Sequence, residues 1–219
     1  MPTALQRRRR LERARLYLVA DARIGDAALR AALSGGVDMV QLRDRSLGDD
    51  ELVREARRFR GTCDDHGALL WINDRPDLAL AAGADGVHVG QDDMSVGQAR
   101  EACGGQLLVG RSTHSAEQLE AAIAAGADQL SVGPVWETPT KPGRAAAGLG
   151  YVRHAARRRP PVPWFAIGGI DAGHVGEVVA AGARRIVVVR AITAAPDPRA
   201  AAAELSAALE GRSVGATAQ

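Results

Sequence analysis

Short apolar runs recur along the chain, each preceded by an amphipathic stretch and a glycine. Ala81-Ala-Gly-Ala-Asp-Gly-Val-His-Val-Gly90, Ala124-Ala-Gly-Ala-Asp-Gln-Leu-Ser-Val-Gly133 and Ala180-Ala-Gly-Ala-Arg-Arg-Ile-Val-Val-Val189 share one pattern, and Leu33-Ser-Gly-Gly-Val-Asp-Met-Val-Gln-Leu-Arg43 is a looser copy. Each reads as a helix end, a glycine suited to a left-handed cap, and a brief β-branched strand. Runs this short and apolar suit strands buried on both faces, as in a parallel sheet. Completing the pattern predicts strands over 16–20, 38–43, 68–73, 86–90, 107–111, 129–133, 164–168 and 185–189. Helices are expected between them, among others over 49–66, 115–125 and 173–181, and Pro76 suits the first turn of a short helix. Eight units of roughly 27 residues each predict a single-domain α/β fold, the (β/α)8 TIM barrel, at its compact end. An open doubly wound sheet is the alternative; it would carry GxGxxG after the first strand, where Asp21-Ala-Arg-Ile-Gly25 stands instead. The expected layout is a basic N-terminal arm or extra helix over 1–15, the barrel over 16–210 and a flexible tail over 211–219.

Composition narrows the class further. Of 219 residues, 46% are hydrophobic and 25% charged, the balance of a globular protein, and aromatics at 3% leave the core to Ala, Val, Leu and Ile. No apolar run approaches the roughly 20 residues that span a bilayer. Residues 7–10 are arginines followed by Leu-Glu-Arg-Ala-Arg, which is not a signal-peptide pattern. Cys63 and Cys103 are isolated, as in a reducing compartment, so a cytoplasmic protein is expected. A net charge of +2 is too mild to argue for nucleic acid, and small molecules are the expected partners, with a homo-oligomer left open. The basic residues are 27 arginines and one lysine, Lys141; Asn73 is likewise the one asparagine.

In a barrel, chemistry gathers where strands end. Those positions are polar here: Gln41-Leu-Arg-Asp-Arg45, Asn73-Asp-Arg75, Gly90-Gln-Asp-Asp93, Arg111-Ser-Thr-His114, Gly133-Pro-Val-Trp-Glu-Thr-Pro-Thr-Lys-Pro-Gly143, Gly168-Gly169 and Arg190. Asp74 and the Asp92-Asp93 pair leave neighbouring strands, and carboxylates on adjacent strand tips can share a Mg²⁺ with substrate phosphate oxygens. Capping of the following helices is the other reading of Asp74 and Asp92. Asp44 reads as a partner of Arg43 or Arg45. Arg43 and Arg45 share a side of an extended segment and, with Lys141, form a candidate diphosphate clamp, unless they pair with Asp49 or Asp50. Gly168-Gly169 lets backbone N–H groups approach a phosphate, aided by a following helix N-terminus. His88 reads as a packed wall residue, while His114 is either a donor beside Ser112 or part of a helix start. No zinc or serine-hydrolase motif is present.

Taken together, Gln41 to Arg45, Ile72-Asn-Asp74, His88-Val-Gly-Gln-Asp-Asp93, Gly110 to His114, Gly133 to Pro142 and Ala166-Ile-Gly-Gly-Ile170 resemble the thiamine-phosphate synthase family, in order and spacing, over about 16–210. The resemblance implies a transferase that joins an aminopyrimidine methyl diphosphate to a thiazole ethyl phosphate, giving thiamine monophosphate and pyrophosphate through a ring-stabilised carbocation. It implies Mg²⁺ on Asp74 and Asp93. The pyrimidine diphosphate would meet Gln41, Leu42, Arg43, Asp44, Arg45, Asn73, Ser112 and Lys141. The thiazole phosphate would meet Thr138, Pro139, Thr140, Gly168, Gly169, Val189 and Arg190. Lys141, Ser112 and Arg43 are the candidate catalytic groups. Charge compensation and positioning are required, with no strong base. Arg45 stands where the family usually has Lys, and Arg190 where it has a small Ser. A thiazole tautomerase of the same superfamily and a non-catalytic phosphate-binding barrel are the alternatives; neither calls for two acids beside a basic clamp.

Overall fold

The computed structural model describes residues 3–138, 143 and 145–211. Eight parallel strands, β1 (Leu16–Ala20), β2 (Met39–Leu42), β3 (Leu69–Asn73), β4 (Gly86–Val89), β5 (Leu108–Thr113), β6 (Gln129–Val132), β7 (Trp164–Ile167) and β8 (Ile186–Val188), pair in chain order, and β8 closes on β1. The open doubly wound sheet is therefore excluded. Around the barrel run α2 (Asp26–Ser34), α3 (Asp49–His66), α4 (Pro76–Ala81), α5 (Val96–Ala102), α6 (Ala116–Ala124), α7 (Gly148–Arg158), α8 (Val175–Ala180), α9 (Arg190–Thr193) and α10 (Pro198–Leu209). The repeat glycines do what the pattern demanded: Gly83 and Gly126 follow helix ends at φ 68° and 74° and turn the chain into the next strand.

Two cores result. Between strands and helices lies an aliphatic layer that includes Leu18, Val40, Ile72, Val109 and Leu130. Inside the barrel lies a second cluster, and the expectation of a purely aliphatic core fails there. Tyr17 packs against Trp71 and Phe165 with ring centroids 6.3 and 5.7 Å apart. Glycines make the room: a Cβ on Gly86 would lie 2.6 Å from the Trp71 indole. Three of the seven aromatic residues thus fill the interior of a small barrel.

Residues 4–13, for which an arm or a helix was open, form α1 (Ala4–Arg13), started by a Thr3–Gln6 capping box. Its Leu11 enters the inner core, and of its basic residues Arg7 is buried while Arg8, Arg9, Arg10 and Arg13 are exposed. Buried Arg7 donates to Asp85 at 3.2 Å and to the Gln106 carbonyl at 2.8 Å, and Arg8 pairs with Asp128 at 2.7 Å. These partners precede β4, β5 and β6, so α1 closes the N-terminal end of the barrel. Among the described residues the opposite end stays open around a cavity. Among the described residues no helix is long and apolar enough to cross a membrane.

Candidate functional site

The C-terminal strand ends surround a cavity of about 320 Å³. Of the expected residues, Gln41, Arg43, Asn73, Ser112, Thr138, Gly168, Gly169, Val189 and Arg190 all line it, so residues spread over most of the chain converge on one space. Alternation along β2 explains its split: Gln41 and Arg43 face the cavity, whereas Leu42 is buried in the layer between strands and helices. Lys141, Pro139 and Thr140 lie outside the described residues.

The charged groups on the rim are arranged differently from some expectations. Asp44 does not pair with Arg43 or Arg45. It accepts from the Ser46 hydroxyl at 2.6 Å, the Ser46 N–H at 3.0 Å and the Ala22 N–H at 3.2 Å, tying two loops together. The Ser46 hydroxyl is the main reason its carboxyl is held below the ordinary carboxylate range. Asp49 is engaged by Arg75 in a two-point contact at 2.7 and 2.8 Å, which leaves Arg43 and Arg45 to the mouth. Burial lowers the pKa of the Arg43 guanidinium, and neighbouring Arg45 lowers it further. Half-buried Arg43 and exposed Arg45, held close, form a seat for a multiply charged anion.

The acids sit beside them. Asp74 adopts a left-handed backbone at φ 62°, accepts from the Asn73 amide at 2.5 Å and pairs with Arg45 at 3.1 Å. Neither Asp74 nor Asp92 is a helix cap. The position before α4 is Arg75, with no side-chain cap, and α5 is capped by Ser95. Asp93 is oriented by the Gly90 N–H at 2.8 Å. Arg111 holds the same turn from below, donating to the carbonyls of Gly90 and Met94 at 2.7 and 2.9 Å. The Asp74 carboxyl is raised above its ordinary range, first by burial and then by its hydrogen bond to and repulsion from Asp93. Two carboxylates forced into contact favour a shared proton or a shared cation. Among the described residues no group of three or more His, Cys, Asp or Glu side chains gathers around a point. The pair therefore suits a Mg²⁺ whose remaining shell is water and ligand oxygen, not an all-protein cage.

Across the mouth, Gly168 and Gly169 turn the chain at φ 106° and 70°. A Cβ on Gly168 would lie 2.5 Å from Pro134, because the β6–α7 connection is fastened here by Val135 N–H to the Ile167 carbonyl and Trp136 N–H to the Gly168 carbonyl. The expected helix N-terminus is not at this turn: α8 begins only at Val175. Arg190 opens α9 directly after β8 and faces the cavity.

The deeper wall contains residues that the sequence reading missed or gave no polar role. Tyr17 accepts from the Gln41 amide at 2.5 Å. His88 is packed in the wall as expected, 7% exposed, but it also borders the cavity, with Nε2 2.9 Å from the Ser112 hydroxyl and Nδ1 3.1 Å from Gln129 Oε1. His114 serves both roles left open for it, since its N–H donates to Gln118 in the first turn of α6 while its ring hydrogen-bonds the Gly133 carbonyl and borders the cavity. The signal for the buried set was polar residues at alternate positions in apolar strands, His88 in β4 and Gln129 and Ser131 in β6.

Residues 16–192 match the model of a family described as thiamine monophosphate synthase. The chain is 56% identical over 203 residues to the thiamine-phosphate synthase of Thermobifida fusca (strain YX), covering 90% of this chain and 93% of that one. It is 54% identical over 213 residues to the enzyme of that name from Mycolicibacterium smegmatis, covering 91% and 94%. Among solved structures, a thiamine phosphate pyrophosphorylase from Pyrococcus furiosus superposes with a TM-score of 0.84 at 32% identity, over 93% of this chain and 98% of the other. A 3-hexulose-6-phosphate synthase, at 24% identity and a TM-score of 0.63, shares the fold alone.

Proposed function

The chain belongs to the thiamine monophosphate synthase family, and we propose that its cavity joins an aminopyrimidine methyl diphosphate to a thiazole ethyl phosphate, releasing pyrophosphate and leaving thiamine monophosphate. The observation that carries this reading is the Asp74–Asp93 carboxylate pair beside Arg45 and Arg43, of which Arg43 lines the cavity. A diphosphate leaving group needs both: cations for its oxygens and acids to hold a divalent ion against it.

Each side chain then has a task. Arg43 and Arg45 bind the diphosphate, and Asn73 steadies Asp74 through its amide. Asp74 and Asp93 would hold Mg²⁺, which when bound offsets charge on the departing pyrophosphate. Gln41 and Ser112, deeper in the wall, meet the aminopyrimidine ring. Thr138, Gly169, Val189 and Arg190 receive the thiazole phosphate, the glycine through its N–H, so that the thiazole nitrogen faces the carbon that loses the diphosphate. Lys141, three residues after Thr138 in the sequence, would supply an ammonium to the charge growing as the carbon–oxygen bond breaks. No group of the wall acts as base or nucleophile in this scheme. The reaction takes place in the cytoplasm, in keeping with two free, buried cysteines.

The test is release of pyrophosphate and formation of thiamine monophosphate from the two substrates with Mg²⁺. Both products are expected, and neither when one substrate is left out. A thiazole tautomerase or a non-catalytic phosphate-binding barrel releases no pyrophosphate.

A further inference from the structure

Below the cavity a row of buried polar side chains crosses three neighbouring strands. Gln129 Nε2 donates to the Ser131 hydroxyl at 3.1 Å, Gln129 Oε1 lies 3.1 Å from His88 Nδ1, and His88 Nε2 lies 2.9 Å from the Ser112 hydroxyl. Burying such groups is costly unless each is paired, so a row of this kind is not a neutral filling for a barrel. Space for it depends on one residue. Gly110 is the strand partner of both His88 and Gln129, and a Cβ there would lie 2.5 Å from His88 Nδ1 and 2.5 Å from Gln129 Oε1. A glycine within a strand weakens it, and here it opens the gap that the His88–Gln129 contact occupies.

We propose that His88, held by Gln129, fixes Ser112 as a hydrogen-bond acceptor toward the cavity, and so selects a ring bearing an amino group over one bearing a carbonyl at the same position. The inference rests on the reading that Ser112 meets the aminopyrimidine. Proton positions follow from the row. The Gln129 amide nitrogen is turned to Ser131, so its oxygen faces His88 and requires a donor, Nδ1–H. A neutral imidazole protonated at Nδ1 has a bare lone pair at Nε2. The Ser112 hydroxyl has one proton and gives it to that lone pair. What remains toward the cavity is oxygen lone pairs, which accept from an amino group and leave a carbonyl oxygen opposed and unpaired. His88 acts through Ser112 and is a positioning residue. Gln129 does not line the cavity, which makes it the place to test the row without touching substrate.

The experiment compares the aminopyrimidine methyl diphosphate with its analogue carrying a carbonyl in place of the amino group. Wild-type protein is expected to prefer the amino substrate. Gln129→Met removes the acceptor that sets the imidazole, and should lower kcat/KM for the amino substrate by about tenfold, as for one lost hydrogen bond. The amino-to-carbonyl preference should shrink by at least as much, with KM for the thiazole phosphate unchanged. Gln129→Glu sets an anion against the imidazole, favours a proton on both ring nitrogens, and should weaken the preference as well. Independently, ¹⁵N NMR of histidine-labelled wild-type protein should show His88 protonated at Nδ1 and bare at Nε2, a measurement that needs no variant to fold. A proton on Nε2, or an unchanged preference in Gln129→Met, overturns the proposal while synthesis by the wild type stands. Absence of synthesis by the wild type refutes the functional reading itself, and with it the selection, whatever the tautomer.

Discussion

The two ends of the barrel are built from the same residue types and treat them in opposite ways. At the closed end, Asp85 is 1% exposed and fully engaged: Arg60 donates at 2.6 Å, Arg7 at 3.2 Å and the Leu70 N–H at 2.9 Å. Asp128 is held similarly by Arg8, Arg100 and the Val109 N–H. At the open end, two carboxylates crowd each other, two arginines crowd each other, and glycines turn at positive φ. Asp85 and Asp128 at the closed end face guanidinium groups within the chain and lock the ends of the strands. At the open end one ion pair, Arg45–Asp74, is crowded by Asp93 on one side and Arg43 on the other, so the net like charges suit a ligand that carries the complement. Full pairing makes the first region a clamp for the fold, and crowding of like charges makes the second a binding site.

The largest expected effect belongs to the closed end. Asp85→Ala leaves Arg7 and Arg60 without their carboxylate in a buried place and frees the Leu70 N–H, a loss of about 3–5 kcal/mol in unfolding free energy. The turnover of the folded fraction should stay near wild type, because the cavity is at the other end. Chemical denaturation alongside steady-state kinetics checks both halves. A fall in kcat at unchanged stability would break the division of labour between the ends.

Lys141→Ala, on the proposed function, is the counterpart for catalysis. A single donor aimed at charge that develops in the transition state contributes about 2.7–4 kcal/mol, a hundred- to thousandfold in rate. The variant should lose that in kcat with a much smaller rise in KM, and should melt like the wild type. Lys141→Arg should recover only part of the rate, since a planar fork replaces a compact ammonium. Near-normal kcat in Lys141→Ala would leave an ordinary solvated lysine.

How far the chain announces this arrangement differs between the two ends as well. Strands and the cavity rim were legible because burial imposes periodicity and strand ends impose polarity. Helix α3 falls on residues 49–66 as expected, and nine of the expected ligand positions line one cavity. The closed end was not legible. Residues 7–10 form a run of like charge, and nothing local says that Arg7 finds Asp85, 78 positions away, or that Leu11 enters the barrel. Such pairings are set by tertiary contact alone. His88 was read as wall packing, and its contacts with Ser112 and Gln129 were missed for a related reason: in a barrel filled on both faces, strand alternation tells which residues share a side but not which side is the interior.

The smallest effect tests the strain at the open end directly, by stability and not by rate. The Asp74 carboxyl is raised from its ordinary value of 3.8 by burial and by Asp93, so the folded chain binds that proton more tightly than the unfolded chain does. Its contribution to stability is then full below pH 3.8 and is lost as pH rises through the raised value. At neutral pH the ionised pair works against the fold. Asp74→Asn removes one charge, and without Mg²⁺ it should melt at a slightly higher temperature than wild type. The gain stays small, because water still reaches Asp74 and screens the repulsion. Mg²⁺ should raise the melting temperature of the wild type and have little effect on Asp74→Asn, whose remaining carboxylate is a poor ligand set alone. Asp74→Asn should also be slow at limiting Mg²⁺ despite melting no lower, which a merely destabilised protein would not do. Thermal melts of both proteins at neutral pH, with and without Mg²⁺, decide the matter. A lower melting temperature in metal-free Asp74→Asn would mean that the pair supports the fold as Asp85 does, and the contrast between the two ends would fail at its central residue.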